Sequence, residues 1–245
     1  MNNRYIVAST ALASSACLGF LGYSQPEMLG VKPVKSHGCQ IDYTKDNQMS
    51  KYLIKHSKLK QLLTGYKPSW FYTSALMGNA ASLYLVPQKV VPEHTTLKVK
   101  SQSGQGGYVC YDVMRCATQP DSTKVLFIVP GVNSSIEDHH INATARKALA
   151  DGFHCVVVNP VRPDPKKGIK DLEIIDYSKV EPIAESVATI KQLFGDRVEI
   201  YAIGFSLGSN HLLRHLGAHK NCKEVCGIKA AVSISGAFEV RASAL

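Results

Sequence analysis

Arg197-Val198-Glu199-Ile200-Tyr201-Ala202-Ile203 runs directly into Gly204-Phe205-Ser206-Leu207-Gly208-Ser209-Asn210-His211. The first seven residues alternate and then merge into an apolar run, which predicts a strand over 197–203. The residues from Leu207 to about His219 place apolar side chains at helical spacing, which predicts a helix. Between them stands G-x-S-x-G. A serine held in a strained conformation in a tight strand-to-helix turn needs glycine at the flanking positions, because a Cβ there would collide with neighbouring atoms. Its hydroxyl then projects beyond the carboxyl end of the strand, at the positive end of the following helix, where developing negative charge is favoured. The context carries more weight than the pattern, which often arises by chance.

Working outward, strands are predicted at 95–100, 107–114, 124–129, 153–158 and 229–235, and helices at 137–151 and 178–194. The last four strands, including 197–203, are nearly continuous apolar runs separated by helices. That is the signature of a parallel sheet covered on both faces, so the fold class is α/β. The first two strands are expected to form an antiparallel hairpin.

Pro130-Gly131-Val132 follows the apolar strand 124–129. In an α/β-hydrolase this loop supplies one oxyanion-hole amide, and the residue after the nucleophile supplies the other. The expected site is therefore Ser206 as nucleophile, the backbone N–H groups of Val132 and Leu207 as oxyanion donors, and Gly204 and Gly208 as the elbow glycines. No cofactor and no metal are called for. His139 and His140 precede the position where this fold places its base, and they read as surface or packing histidines. His211, His215 and His219 recur at i, i+4 and i+8, a spacing that can bind metal, but no acidic or thiol ligand accompanies them.

Composition narrows the function classes. The chain has 245 residues and a net charge of +9, yet Lys and Arg are scattered with no basic stripe or nucleic-acid motif, so nucleic acid is not an expected partner. Seven cysteines without a CxxC pair argue against a secreted disulfide framework and a zinc knuckle. Cys110 and Cys155 sit inside apolar runs as small hydrophobes. Sequons at Asn133 and Asn142 flank the predicted active-site loop; a glycan at Asn133 would obstruct it.

Tyr5 to Tyr23 is uncharged and about as long as the roughly 20 residues that cross a bilayer as a helix. It reads as a membrane anchor, with a secretory signal peptide as the alternative. Lysines after it outnumber the single Arg4 before it, which by the positive-inside rule puts the catalytic portion in the cytosol. The expected organisation is an anchor or signal-like segment at 1–24, a linker and amphipathic helix at 25–65, and the N-terminal part of a hydrolase domain at 66–245.

From about Tyr66 to Leu245 the chain resembles the YheT-like, or AB hydrolase 4, branch of the α/β-hydrolases, which includes membrane-anchored abhydrolase-domain lipases. The resemblance rests on Tyr66-Lys67-Pro68-Ser69-Trp70, Gly106-Gly107 before the second strand, and Pro130 through Ser135. It continues through Gly152 to Asn159-Pro160, the Asp176 region, and Gly204 through Asn210 with Leu216-Gly217. It implies hydrolysis of carboxylic esters, often acylglycerols or other lipids, sometimes from a membrane anchor. Two departures concern loops: Asn159-Pro160-Val161-Arg162-Pro163 stands in place of Asn-Pro-Arg-Gly, and Ser209 in place of Gly or Ala.

In this fold the triad acid and base follow the nucleophile. Only 39 residues follow Ser206, with Glu224 and Glu239 as the only acids and no histidine outside the elbow helix. The expectation is an incomplete hydrolase lacking the last strands, with 229–235 as an apolar open edge. The leading reading is a serine ester hydrolase for lipid or small ester substrates, held at a membrane through residues 5–23. The alternative is an inactive truncated pseudohydrolase that binds a lipid or protein partner. Acyl transfer to an alcohol would use the same nucleophile, and whether this chain is itself an enzyme stays open at this point.

Overall fold

In the computed structural model the described residues are 90–101, 108–132, 134–159, 181–218 and 226–236, with Gln48, Lys51, Tyr52 and Lys55. The chain divides into two units, Met1–Pro87 and Gln88–Leu245. In the first, the four described residues are helical and fall within the 25–65 segment expected to hold an amphipathic helix. The 5–23 stretch, the linker, Tyr66–Trp70, Gly106-Gly107, Asn133, Pro160–Pro163, Asp176, His219, Glu224 and Glu239 lie outside the described residues.

In the second unit, strands β1 (Thr95–Lys100), β2 (Tyr108–Met114), β3 (Lys124–Val129), β4 (His154–Asn159), β5 (Glu199–Phe205) and β6 (Ile228–Ile234) form one sheet in the order β1-β2-β4-β3-β5-β6. β1 and β2 are the expected antiparallel hairpin, and β2 also runs antiparallel to β4. β3 through β6 are mutually parallel. Helices α1 (His139–Ala150), α2 (Glu181–Phe194) and α3 (Leu207–Gly217) supply the crossovers.

Burial accounts for the arrangement. α1 packs Ile141, Ala145 and Ala148 with Met114, Ile128, Cys155 and Val157 on one face. α2 and α3 pack Ile183, Val187, Ile190 and Leu212 with Tyr111, Phe127, Val156 and Ile200 on the other. Each fully buried Val, Leu, Ile, Phe or Met side chain among them contributes about 1.5–3 kcal/mol relative to exposure. A parallel sheet needs both faces covered, and the continuous apolar runs of β3 and β4 meet that need. The sheet is thus the α/β-hydrolase architecture that the sequence led us to expect.

α1 ends in a Schellman turn. Gly152, at φ +83°, occupies the left-handed position, and the Phe153 and Gly152 amides donate to the Ala148 and Leu149 carbonyls at 3.0 and 3.2 Å. Gly195, at φ +90°, similarly follows α2, and the Val198 amide returns to its carbonyl at 3.1 Å. That turn absorbs Arg197 and Val198, so β5 begins at Glu199, two residues later than expected. β5 also runs two residues further, because Gly204 and Phe205 pair with Ser233 and Ile234.

β6 is the last strand of the described sheet. Ile228 is buried, but Val232 is 55% and Ile234 38% exposed, so among the described residues no strand covers the outer side of β6. Cys110, Cys116 and Cys155 are free and buried, and burial pushes the Cys155 thiol up to about 12. Cys226 is disulfide-bonded, a pairing that cysteine spacing alone did not signal.

Candidate active site

Ser206 is the single residue between β5 and α3, with φ +51° and ψ −123°. A non-glycine side chain pays strain for such a φ, and residues of this kind gather at functional sites because only the surrounding structure holds them there. Ser206 is exposed at the carboxyl end of the sheet. The turn is that tight because α3 lies hard against β5 and β3. A Cβ on Gly204 would stand 2.5 Å from the Ser209 Cα, and one on Gly208 only 2.1 Å from the Pro130 carbonyl oxygen and 2.4 Å from that of Val129. Both elbow glycines are therefore dictated by backbone contact.

The loop after β3 reaches the same point. A Cβ on Gly131 would lie 3.0 Å from the Ser206 Cβ and 3.6 Å from its Oγ, so the Gly131 backbone abuts the serine side chain. Val132 follows at 58% exposure. Leu207 opens α3, and its N–H is one of the first-turn amides for which a helix offers no acceptor. The structure thus gathers Ser206, Leu207, Gly204, Gly208 and the Gly131-Val132 loop around one spot at the end of the central strands. The loop leads into α1 through Asp138, whose Oδ2 accepts the Ser135 amide at 2.7 Å.

The histidines fall elsewhere. His139 and His140 are exposed at the start of α1, with the His140 ring edge-on to Phe205 at 5.1 Å. His211 and His215 are buried on α3. Among the described residues no group of His, Cys, Asp or Glu could hold a metal ion. Among them, too, no hydrogen bond joins a base to the Ser206 hydroxyl. Asn142 is only 3% exposed on α1, so a glycan there would require unpacking the helix.

Three features escaped the sequence reading. Ser209 and Ser233 join α3 to β6 through their hydroxyls. Ser235 carries a positive φ of +55° just beyond β6. Asp112, fully buried in β2, accepts the Thr96 hydroxyl at 2.6 Å and the Asn159 side-chain amide, and His94 Nε2 stands 3.9 Å from it. For Asp112 a signal existed: it is the only charged residue in an otherwise apolar run, which a buried, partnered carboxylate explains. Among the described residues no helix is long and apolar enough to cross a membrane, and residues 5–23 were not among them.

No family model matches the sequence. It is 25% identical over 118 residues to abhydrolase domain-containing protein 2 of Drosophila melanogaster, covering 48% of this chain and 29% of that protein. It is 27% identical over 121 residues to embryogenesis-associated protein EMB8 of Picea glauca, covering 49% and 25%. A third relative is monoacylglycerol lipase ABHD2 of Danio rerio, 25% identical over 99 residues, covering 40% and 23%. The matches thus span under a third of the length of these curated relatives. Among solved structures, the Pyrococcus furiosus esterase Pf2001 superposes with a TM-score of 0.48 at 19% identity, over 63% of this chain and 56% of that one.

Proposed function

From the similarity of this chain to abhydrolase-domain proteins, we propose that it carries the nucleophile elbow of a serine carboxylic-ester hydrolase. The observation behind this reading is the strained Ser206 at the β5–α3 junction with the Gly131 backbone against its side chain. Ser206 Oγ attacks the acyl carbonyl carbon. The carbonyl oxygen becomes an oxyanion held by the Val132 and Leu207 amides, the alcohol departs with a proton, and water then releases the acid. The Ser206 proton must pass to a base, and no described residue occupies that place.

The substrate class we assign is a lipid or acylglycerol-type ester. The support is the zebrafish relative, which is a monoacylglycerol lipase by name, together with the length and apolar character of residues 5–23, which would hold the chain at a membrane with its catalytic portion cytosolic. Motifs from Tyr66 to Gly217 favour the YheT-like branch. The test is turnover of a monoacylglycerol and a p-nitrophenyl ester by the native protein and by Ser206→Ala. Turnover that disappears with the hydroxyl supports the reading; equal turnover by both forms removes Ser206 as the nucleophile, and no turnover by either favours the pseudohydrolase.

A further inference from the structure

Two non-glycine residues among those described have positive φ, Ser206 and Ser235. They stand side by side, each one residue beyond the last register pair of the neighbouring strands β5 and β6, Phe205 with Ile234. A hydrogen bond connects them: the Ser206 amide donates to the Ile234 carbonyl at 2.9 Å. Because the peptide unit is planar, that carbonyl points where the ψ of Ile234 and the φ of Ser235 send it. The left-handed backbone of Ser235 therefore helps to aim the acceptor that the nucleophile's own amide uses.

The segment is fastened on both sides of this residue. Before it, the Ser233 hydroxyl bonds the Ser209 hydroxyl in the first turn of α3. After it, Gly236 lies so close to the same turn that a Cβ would stand 2.6 Å from Ser209 Oγ and 2.8 Å from Asn210 Oδ1. Positive φ is disfavoured for a serine, and such fastening holds it there. We propose that Ser235 is a positioning residue for the nucleophile: its left-handed conformation aims the Ile234 carbonyl at the Ser206 amide and so holds the elbow in its strained, hydroxyl-presenting form. The inference rests on the reading of Ser206 as the nucleophile for its catalytic consequence, and on geometry alone for its hold on the elbow.

Asparagine tolerates positive φ, alanine tolerates it poorly and β-branched valine least. The test compares Ser235→Asn, Ser235→Ala and Ser235→Val in the full chain, below the unfolding transition of every variant. Amide hydrogen exchange is read at Ser206 against Ala202 and Ile203 of the same strand, and fluorophosphonate labelling is resolved into a binding constant and a maximal rate. We expect Ser235→Val to lose Ser206 protection selectively by about tenfold, the scale of one lost backbone hydrogen bond. Its maximal labelling rate should fall with little change in binding, while Ser235→Asn retains both properties. If the valine variant does not fold, the alanine variant must show the same selective loss. Unchanged Ser206 protection, or protection lost uniformly along β5, overturns the proposal. Absence of labelling in the wild type would instead overturn the nucleophile reading, and the exchange data would still decide the role of Ser235 in the elbow.

Discussion

Replacing Gly208 with alanine probes the packing that builds the elbow. The new Cβ would lie 2.1 Å from the Pro130 carbonyl oxygen, 2.4 Å from the Val129 oxygen and 2.8 Å from the Pro130 carbonyl carbon. All three are backbone atoms, so no side chain can swing away, and α3 and the end of β3 must part by roughly 1 Å to reach tolerable contact. Overpacking of this kind costs about 1–3 kcal/mol, and alanine regains up to about 1 kcal/mol of helix propensity. A net loss of about 1–2 kcal/mol is expected, which lowers the thermal midpoint by about 2–4 °C per kcal/mol in a chain of this size. The effect on chemistry should be larger, because the same movement carries Gly131 and Val132 away from Ser206. A misplacement near 1 Å costs about a hundredfold in rate. Urea denaturation and the rate of fluorophosphonate labelling measure the two quantities. Gly217→Ala, at the last residue of the same helix with nothing within 4 Å of the new Cβ, is the control and should leave both unchanged or raise stability slightly. A Gly208→Ala protein with wild-type midpoint and wild-type labelling would refute the claim that backbone contact dictates this glycine.

Ser206→Gly should abolish labelling yet raise stability by about 1 kcal/mol or more, since it removes the strain of φ +51°; a lower urea midpoint would count against strain at the elbow. His154 is buried, with Nδ1 accepting the Cys116 amide at 2.9 Å and Nε2 donating to the Ser122 carbonyl at 3.1 Å. Burial foremost, with the nearby Arg115 charge, holds its pKa below the ordinary value. The unfolded chain takes up this proton near about pH 6.5 and the folded chain only at lower pH, so stability present above that value is lost as pH falls below it. Urea midpoints measured between about pH 7.5 and 5 should fall on acidification, and the part due to this residue should vanish in His154→Gln. Asp112→Ala strips the Thr96 hydroxyl and the buried Asn159 amide of their acceptor and should cost about 2–3 kcal/mol by denaturation; a neutral result would mean that water replaces the carboxylate.

Much of this fold was legible because it depends on local pattern. The uninterrupted apolar runs of β3 and β4 could only be strands buried on both faces, and α1 and α2 cover them as the helical spacing between those runs implied. The elbow was legible for a different reason: Gly204 and Gly208 mark places where backbone meets backbone. Strand order was not legible. Nothing in Tyr108–Met114 states that it lies beside β4 as well as β1, since that pairing joins residues more than forty positions apart. The end of β5 was misplaced at Ile203 because glycine ordinarily weakens a strand; here Gly204 stays in the ladder opposite Ser233, and the turn shrinks to Ser206 alone. Ser235 gave no sign of its conformation, because a serine before a glycine suits many turns and only the contacts with α3 select this one.

The most direct test of the account is to treat the native protein with a fluorophosphonate and locate the adduct by peptide mass spectrometry. A single adduct is expected on the peptide carrying Ser206, lost in Ser206→Ala and formed more slowly in Gly208→Ala. An unmodified Ser206 peptide, or an adduct that persists in Ser206→Ala, would contradict it.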